Sequence, residues 1–401
     1  MSRAFERRQL PLLVVIVLCA LITQFGAVGS VLTADVAAAF PGAGDAAVQA
    51  MLQCSVVGSF AGSLAVSALA GRVAAKARVL GGLAGELLGG LMPLVGTVSL
   101  PQLWVAALLV GLGQSTVVAT LGELCLDGFT GRARARALGL NSAANNGGAA
   151  AVLFVAGRLA LDVGWRGVFW LYLLVVPVLV TAALVLKAPV PEKAPESAPL
   201  PKGDAVGARG RALCALAAVS LLAYAVVPFN LALYVIRDAA IGTTADAGAA
   251  MGLVTLAAAL SSLALPWLTR RLGLFVAVVP PVAGLVGCLV LLGATNMGAV
   301  FAATVCEGVF LGVTQASMGY LIGRVCPGAA YGRAYGLGNA MISLGQILCL
   351  PVIDGLGALA GVAGSLARFG FWVSAGLFGC LVLAQTLWAL WARRDAPRTT
   401  G

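Results

Sequence analysis

Histidine is absent from all 401 residues, which removes the commonest metal ligand and the side chain best suited to shuttle protons near neutrality. Charge is scarce: Asp, Glu, Lys and Arg together make up 10%, where a soluble domain carries about 25%. The nine cysteines (Cys19, Cys54, Cys125, Cys214, Cys288, Cys306, Cys326, Cys349 and Cys380) never form a Cys-x-x-Cys pair, so neither a disulfide framework nor a zinc site is supported. They read instead as small packing or lipid-facing residues. No Gly-x-x-x-x-Gly-Lys-Ser/Thr loop occurs, so ATP is not the energy source in this chain. The net charge of +10 is dispersed between apolar segments without a long basic run, which argues against a nucleic-acid partner. Clustered intramembrane acids are missing too, so a membrane enzyme lacks its usual constellations. No cofactor and no metal are expected.

What the sequence has in excess is apolar surface. Hydrophobic residues reach 61% and the mean hydropathy is +1.01. One soluble core could not absorb this, because cores stop growing near ~250–300 residues. Lipid as solvent accounts for it, since about 20 mostly apolar residues cross ~30 Å of hydrocarbon. Apolar spans fall at 10–33, 47–70, 79–100, 102–126, 136–158 and 167–187. A second set follows at 212–236, 246–268, 273–295, 298–323, 334–357 and 369–392. The expected fold is all-α and integral to the membrane: twelve transmembrane helices in two pseudo-symmetric six-helix bundles, 1–187 and 212–401. The segment 188–211 between them holds Pro189, Pro191, Pro195, Pro199 and Pro201 with Lys193, Lys202, Glu192, Glu196 and Asp204, the composition of an exposed linker. Arg3, Arg7 and Arg8 precede the first span without a small-residue cleavage site, so that span reads as a retained helix and not a signal peptide.

Basic residues orient the twelve spans. With the N-terminus inside, only Arg158, Arg166, Arg237 and Arg368 fall outside, leaving 21 of the 25 Lys and Arg in the N-tail, inner loops, linker and C-tail. Positive residues favour the cytoplasmic side, so both termini are expected in the cytoplasm of a multi-pass cell-membrane protein. An internal repeat agrees. Arg136-Ala137-Leu138-Gly139-Leu140 begins span 5 and Arg333-Ala334-Tyr335-Gly336-Leu337 begins span 11. Arg166-Gly167-Val168-Phe169-Trp170 opens span 6, and Arg368-Phe369-Gly370-Phe371-Trp372 opens span 12. Both pairs recur near the same separation, as a duplicated half would.

Gly164-Trp165-Arg166-Gly167-Val168-Phe169 resembles the Gly-Trp-Arg-x-x-Phe signature that major facilitator superfamily proteins carry before their sixth helix. Arg136-Ala137-Leu138-Gly139 resembles the family's usual start of the fifth helix. Asp35-Val36-Ala37-Ala38-Ala39-Phe40-Pro41-Gly42 is similar to the first outer loop of its bacterial drug-efflux branch. The resemblance spans the whole chain and implies two bundles around a midplane cavity, moving by alternating access. It also implies a monomer. The pattern is broken in three places. Gly71-Arg72-Val73-Ala74-Ala75-Lys76-Ala77-Arg78 replaces Gly-x-x-x-Asp-Arg-x-Gly-Arg-Arg, with Ala75 where the acid belongs. Ala107 stands where the drug:proton antiporters carry an arginine, and Val152-Leu153 where they carry Gly-Pro.

A charged side chain inside hydrocarbon costs at least about 2.5–3.5 kcal/mol on insertion scales. Glu307, about ten residues into span 10, is therefore the first candidate, with Leu311, Thr314 and Met318 on the same helical face. It reads as a proton or cationic-substrate site, or as a structural acid hydrogen-bonded between helices. In the resembled family, spans 1, 4, 7 and 10 line the cavity. Each has polar residues at middle depth here: Gln24, Gln114, Tyr224 with Asn230, and Glu307 with Thr314 and Gln315. Such groups orient a ligand without burying an ion, and they serve interhelical packing equally well. Asn141 and Asn145 form an i, i+4 stripe in span 5 with the same two readings. Glu123 and Asp127 close span 4 beside Arg72, Lys76 and Arg78, a candidate cytoplasmic gate or simply solvated headgroup-level charge. Glu86 in span 3 is expected to pair with a neighbour. Glycine is abundant, 52 in all, and Gly58 and Gly62 form a Gly-x-x-x-Gly suited to close helix contact.

A sparsely charged cavity suits neutral or weakly cationic ligands better than phosphates or dicarboxylates. The expected function is a secondary active exporter of small amphipathic organic molecules, proton-coupled through Glu307. The alternative is a uniporter or importer of a sugar or other small metabolite. A receptor that kept a transporter scaffold is a third class, and ligand binding without flux would mark it. Expected partners are a small-molecule substrate, protons and the lipid bilayer.

Overall fold

The structure is a computed structural model that describes residues 3–69, 72–95, 99–186, 206–326, 330–362 and 366–394. Of the expected linker at 188–211, residues 188–205 lie outside these residues, and its last four, from Ala208, already belong to a helix. Gly71, Lys187, Lys193, Lys202 and Arg398 also lie outside the described residues, and the side chains of Arg3, Arg7, Arg8, Arg132 and Arg333 are not described either. Among the described residues every regular element is a helix. The chain divides into two compact units, Met1–Ala198 and Pro199–Gly401.

The first unit contains α1 (Arg3–Ile22), α2 (Val28–Ala39), α3 (Asp45–Leu69), α4 (Ala75–Leu91), α5 (Leu100–Gly128), α6 (Gly131–Gly167) and α7 (Val175–Val185). The second contains α8 (Ala208–Leu233), α9 (Thr244–Leu263), α10 (Leu265–Leu272), α11 (Val279–Leu292), α12 (Met297–Val325), α13 (Ala330–Leu359) and α14 (Leu366–Arg394). Ten stretches among the described residues are long and apolar enough to cross a membrane. One of them, Arg136–Val185, runs for 50 residues. At 1.5 Å per residue a straight helix of that length would extend about 75 Å, more than twice the hydrocarbon core. It is not straight. Gly164 breaks it with φ 74° and ψ 165°, a region open essentially to glycine alone. α4 is 17 residues long and continues into a 3-10 turn, Met92–Leu94.

The Gly-Trp-Arg motif thus acquires a local cause. Gly164 turns the chain, and Trp165 then packs against Phe40 and Phe169, with ring centroids 6.5 and 6.3 Å away. Arg166 donates from Nε to the Pro93 carbonyl at 3.2 Å, which ties the start of the next segment to the end of α4.

Glycine sets the helix contacts, and it does so repeatedly. A Cβ on Gly148 of α6 would lie 2.7 Å from the Leu21 carbonyl carbon of α1. One on Gly345 of α13 would lie 2.8 Å from the Ala218 carbonyl carbon of α8. Both members of the second contact stand 197 positions after their counterparts (345 − 148 and 218 − 21), the separation of Arg136 from Arg333. Gly111 of α5 meets the Ser55 backbone of α3, and Gly308 of α12, again 197 positions on, meets the Val254 and Ala258 backbone of α9. Ser59 Oγ adds a hydrogen bond to the Gly111 carbonyl at 3.2 Å. Small residues here let backbones touch, as membrane helices without a hydrophobic driving force require.

Candidate functional site

α12 is capped by Asn296, whose Oδ1 accepts from the Ala299 amide at 3.0 Å. Eleven residues on, about 16 Å along the axis, Glu307 is wholly buried. The neighbouring α11 makes room for it, since a Cβ on Gly287 would fall 2.7 Å from Glu307 Oε1. Cys288 Sγ lies 3.6 Å from the same oxygen and 3.4 Å from Ser374 Oγ of α14. Ser374 in turn donates to the Ala223 carbonyl of α8 at 2.7 Å. Glu307 Oε2 has no hydrogen-bond partner among the described residues.

Proton counting gives this chain a direction. The Cys288 thiol holds one proton and has two acceptors in reach, while the Ser374 proton is committed to Ala223. If Glu307 is protonated, its O–H donates to sulfur, the thiol donates to Ser374, and every link carries one proton. If Glu307 is ionised, one link lacks a proton and Oε2 is a buried charge without compensation, which is the costly arrangement. The hydrogen-bond chain is therefore complete with the neutral acid and one proton short with the carboxylate.

Around the carboxyl, Tyr224 of α8 stacks on Phe310 at 5.2 Å, and Phe310 meets Phe378 edge-on at 5.2 Å. Tyr224 and Asn230 are both buried in the interior of the second unit. Asn230 Nδ2 donates to the Val226 carbonyl of its own helix at 2.9 Å. Two turns beyond Glu307, Thr314 is half-buried, and its hydroxyl has no partner among the described residues. It lines a small pocket with Ser220, Ser317 and Gln385, in which Gln385 Nε2 donates to Ser220 Oγ at 3.1 Å. Gln315, the next residue along α12, is exposed. The polar residues expected together on spans 7 and 10 therefore point in different directions.

In the first unit the candidates gather at a break in a helix. α1 stops at Ile22, and a 3-10 turn, Phe25–Ala27, precedes α2. Gln24 Nε2 donates to Asn145 Oδ1 at 3.0 Å, and Asn145 Nδ2 reaches Thr23 Oγ1 at 3.3 Å. Tyr172 donates to the Phe25 carbonyl at 2.9 Å, an oxygen that also accepts from the Val28 amide. Gln114 of α5 abuts Gly26 in the same turn. Three of the sequence candidates, Gln24, Gln114 and Asn145, thus meet where a membrane helix is interrupted, and interrupted helices are where transporters place binding groups. Asn141 lies one turn before Asn145, and its Oδ1 is buried without a partner among the described residues.

The charge cluster is sorted as well. Arg78 of α4 grips Glu123 of α5 through two bonds of 3.0 and 2.6 Å. The Arg78 side chain is 6% exposed and that of Glu123 37%. Lys76 Nζ donates to the Ala183 carbonyl at the end of α7 at 2.6 Å, a favourable place for a cation. Arg72 and Asp127 are exposed. All of these contacts tie helices within the first unit. Glu86 departs from expectation: it is wholly buried, yet neither oxygen has a hydrogen-bond partner among the described residues. Sequence reasoning also missed the roles of Cys288 and Ser374, since nothing in the local pattern distinguishes them from packing residues.

These features define a multi-pass helical membrane protein with a buried carboxyl at a multi-helix junction. The profile of the Major Facilitator Superfamily matches residues 12–295, and the chain belongs to that family. No curated protein matches. Solved transporter structures share the fold. A bacterial homologue of the human lysosomal transporter Spinster, in an inward-facing and unoccupied conformation, aligns at 13% identity over 98% of both chains with a TM-score of 0.70. The nucleoside transporter NupG aligns at 12% identity over 94% of this chain and 99% of its own, with a TM-score of 0.79. A peptide transporter, POT, aligns at 13% identity over 96% and 94%, with a TM-score of 0.72.

Proposed function

We propose that this chain is a secondary active transporter of the cell membrane that exports small, neutral or weakly cationic amphipathic molecules by alternating access, with Glu307 carrying the coupling proton. Its twelve crossings comprise the ten long apolar stretches, the shorter α4, and the division of Arg136–Val185 at Gly164. Both termini face the cytoplasm, as the distribution of Lys and Arg favours. It works as a monomer. The observation that carries the reading is Glu307: wholly buried, half unpartnered, and joined to a hydrogen-bond chain that is complete only in the neutral acid. Its burial inside one unit suits a proton better than an organic cation, which needs space beside the carboxyl.

Ligand contact is assigned to the interrupted α1–α2 segment, with Gln24, Asn145 and Gln114, and to the exposed Gln315. Tyr224 and Asn230 serve the packing around Glu307. Ala75, Ala107 and Val152-Leu153, which depart from the drug:proton antiporter pattern, favour the second reading, a uniporter or importer of a small metabolite. Counterflow in proteoliposomes against drugs, sugars, nucleosides, peptides and dicarboxylates tests the proposal. Exchange of amphipathic, weakly charged compounds is expected, while exchange confined to sugars or to dicarboxylates would overturn it.

A further inference from the structure

Glu86 has no place in the mechanism above, and its surroundings are unusual. It lies in the middle of α4, wholly buried, with neither carboxyl oxygen hydrogen-bonded among the described residues. Opposite it stands Gly113 of α5, where a Cβ would fall 2.7 Å from the Glu86 amide nitrogen and 3.2 Å from its Cβ. Glu307 is likewise packed against a glycine of the adjacent helix, Gly287. The arrangement is reciprocal: α4 carries the acid and α5 the glycine in the first unit, whereas α12 carries the acid and α11 the glycine in the second. Between them the two acids hold four oxygens, and three of these have no partner among the described residues.

The groups that face Glu86 are Cys19 of α1 and Tyr172, whose hydroxyl is already committed to the Phe25 carbonyl. Both are neutral in their ordinary forms, and neither supplies a positive charge. α5 brings no ionisable side chain between Leu100 and Gly122, and α7 has none at all. Arg78 is eight residues away on α4, about 12 Å along the axis, and is occupied by Glu123. A carboxylate in such a place would have neither counter-charge nor donor, so the neutral acid is the form that fits. A structural role would require a partner, and an apolar side chain would fill the space without the polar atoms.

We infer that Glu86 is a second proton-binding site, located in the first unit and separate from Glu307, which binds and releases its proton as the surrounding helices move. One proton would then be held in each unit. The inference does not depend on the direction of transport or on the solute carried.

Difference infrared spectroscopy on the purified full-length chain reads protonated carboxyl groups directly, through the C=O stretch of the neutral acid. The wild type is expected to show two such groups that respond to a pH step taken wholly above the range in which exposed carboxyls titrate, about pH 4. Glu86→Gln should remove one and leave the other, Glu307→Gln should do the converse, and the double variant should show none. An unchanged spectrum in Glu86→Gln would overturn the inference, because Glu86 would then be ionised in the protein. A band that Glu86→Gln removes but that pH does not alter would overturn it equally, because the acid would be a fixed structural group. If Glu86→Gln fails to fold, Glu86→Met provides the same comparison, and a folded Glu86→Met lacking one pH-responsive band supports the site. Failure here leaves the Glu307 reading intact, since the band that Glu307→Gln removes is scored separately.

Discussion

At the scale of single residues, a buried carboxyl is informative because the surrounding atoms either compensate its charge or do not. Arg78 and Glu123 compensate each other through two short bonds, whereas Glu307 and Glu86 face thiol, hydroxyl and hydrocarbon. The two kinds of acid should respond differently to mutation. Arg78→Gln is expected to lower the melting temperature, since charge-assisted bonds contribute about 1.5–3 kcal/mol each, while leaving the pH dependence of transport unchanged. Gly287→Ala should alter the pH dependence as well as the stability. The added Cβ meets the flexible end of Glu307 at 2.7 Å and the Ala303 carbonyl oxygen at 3.1 Å, so the carboxyl moves, the pH dependence shifts and the melting temperature falls. Glu307 was legible in the sequence as the sole acid near the middle of its span. Its partners were not, because Cys288 and Ser374 lie 86 positions apart and meet only through packing. Glu86 was legible as an acid and misread as paired, because a periodic pattern shows which face a residue occupies but not what stands opposite.

At the scale of elements, spans and their ends follow from hydropathy and from glycine. The long apolar run from Arg136 to Val185 contains one position with backbone geometry that favours glycine, Gly164, and the expected boundary between two spans falls there. Gly164→Ala should cost about 1–3 kcal/mol, the range for residues forced into sparsely populated backbone regions, and a lowered melting temperature in detergent would show it. Gly345→Ala and Gly148→Ala should be comparably harmful for another reason. Each added methyl group meets backbone that cannot rotate away, and overpacking of this kind costs about 1–3 kcal/mol. The break after Ile22 was not legible, since Thr23-Gln24-Phe25 contains neither proline nor a charged residue. Its partners lie far along the chain: Asn145 bonds the Thr23 hydroxyl and Tyr172 the Phe25 carbonyl, and no local pattern announces either.

At the scale of the whole molecule, family membership is secure and the cargo rests on the proposal above. The repeated contacts, Leu21 with Gly148 and Ala218 with Gly345, indicate that the two units reuse one packing scheme. The acids interrupt the likeness, since one unit places its carboxyl on α4 and the other on α12. Topology is open to a direct check. Cysteines introduced beside Arg166 and Arg368, in a background without the native nine, should react with a membrane-impermeant maleimide from outside, and one introduced in the 188–211 segment should not.

The most direct test of Glu307 as the coupling residue compares two assays on Glu307→Gln in proteoliposomes: counterflow, which needs only alternating access, and solute movement driven by a pH gradient. The proposal predicts that the variant retains counterflow near the wild-type rate and loses gradient-driven transport by an order of magnitude or more. Gradient-driven transport at the wild-type level in Glu307→Gln would contradict it.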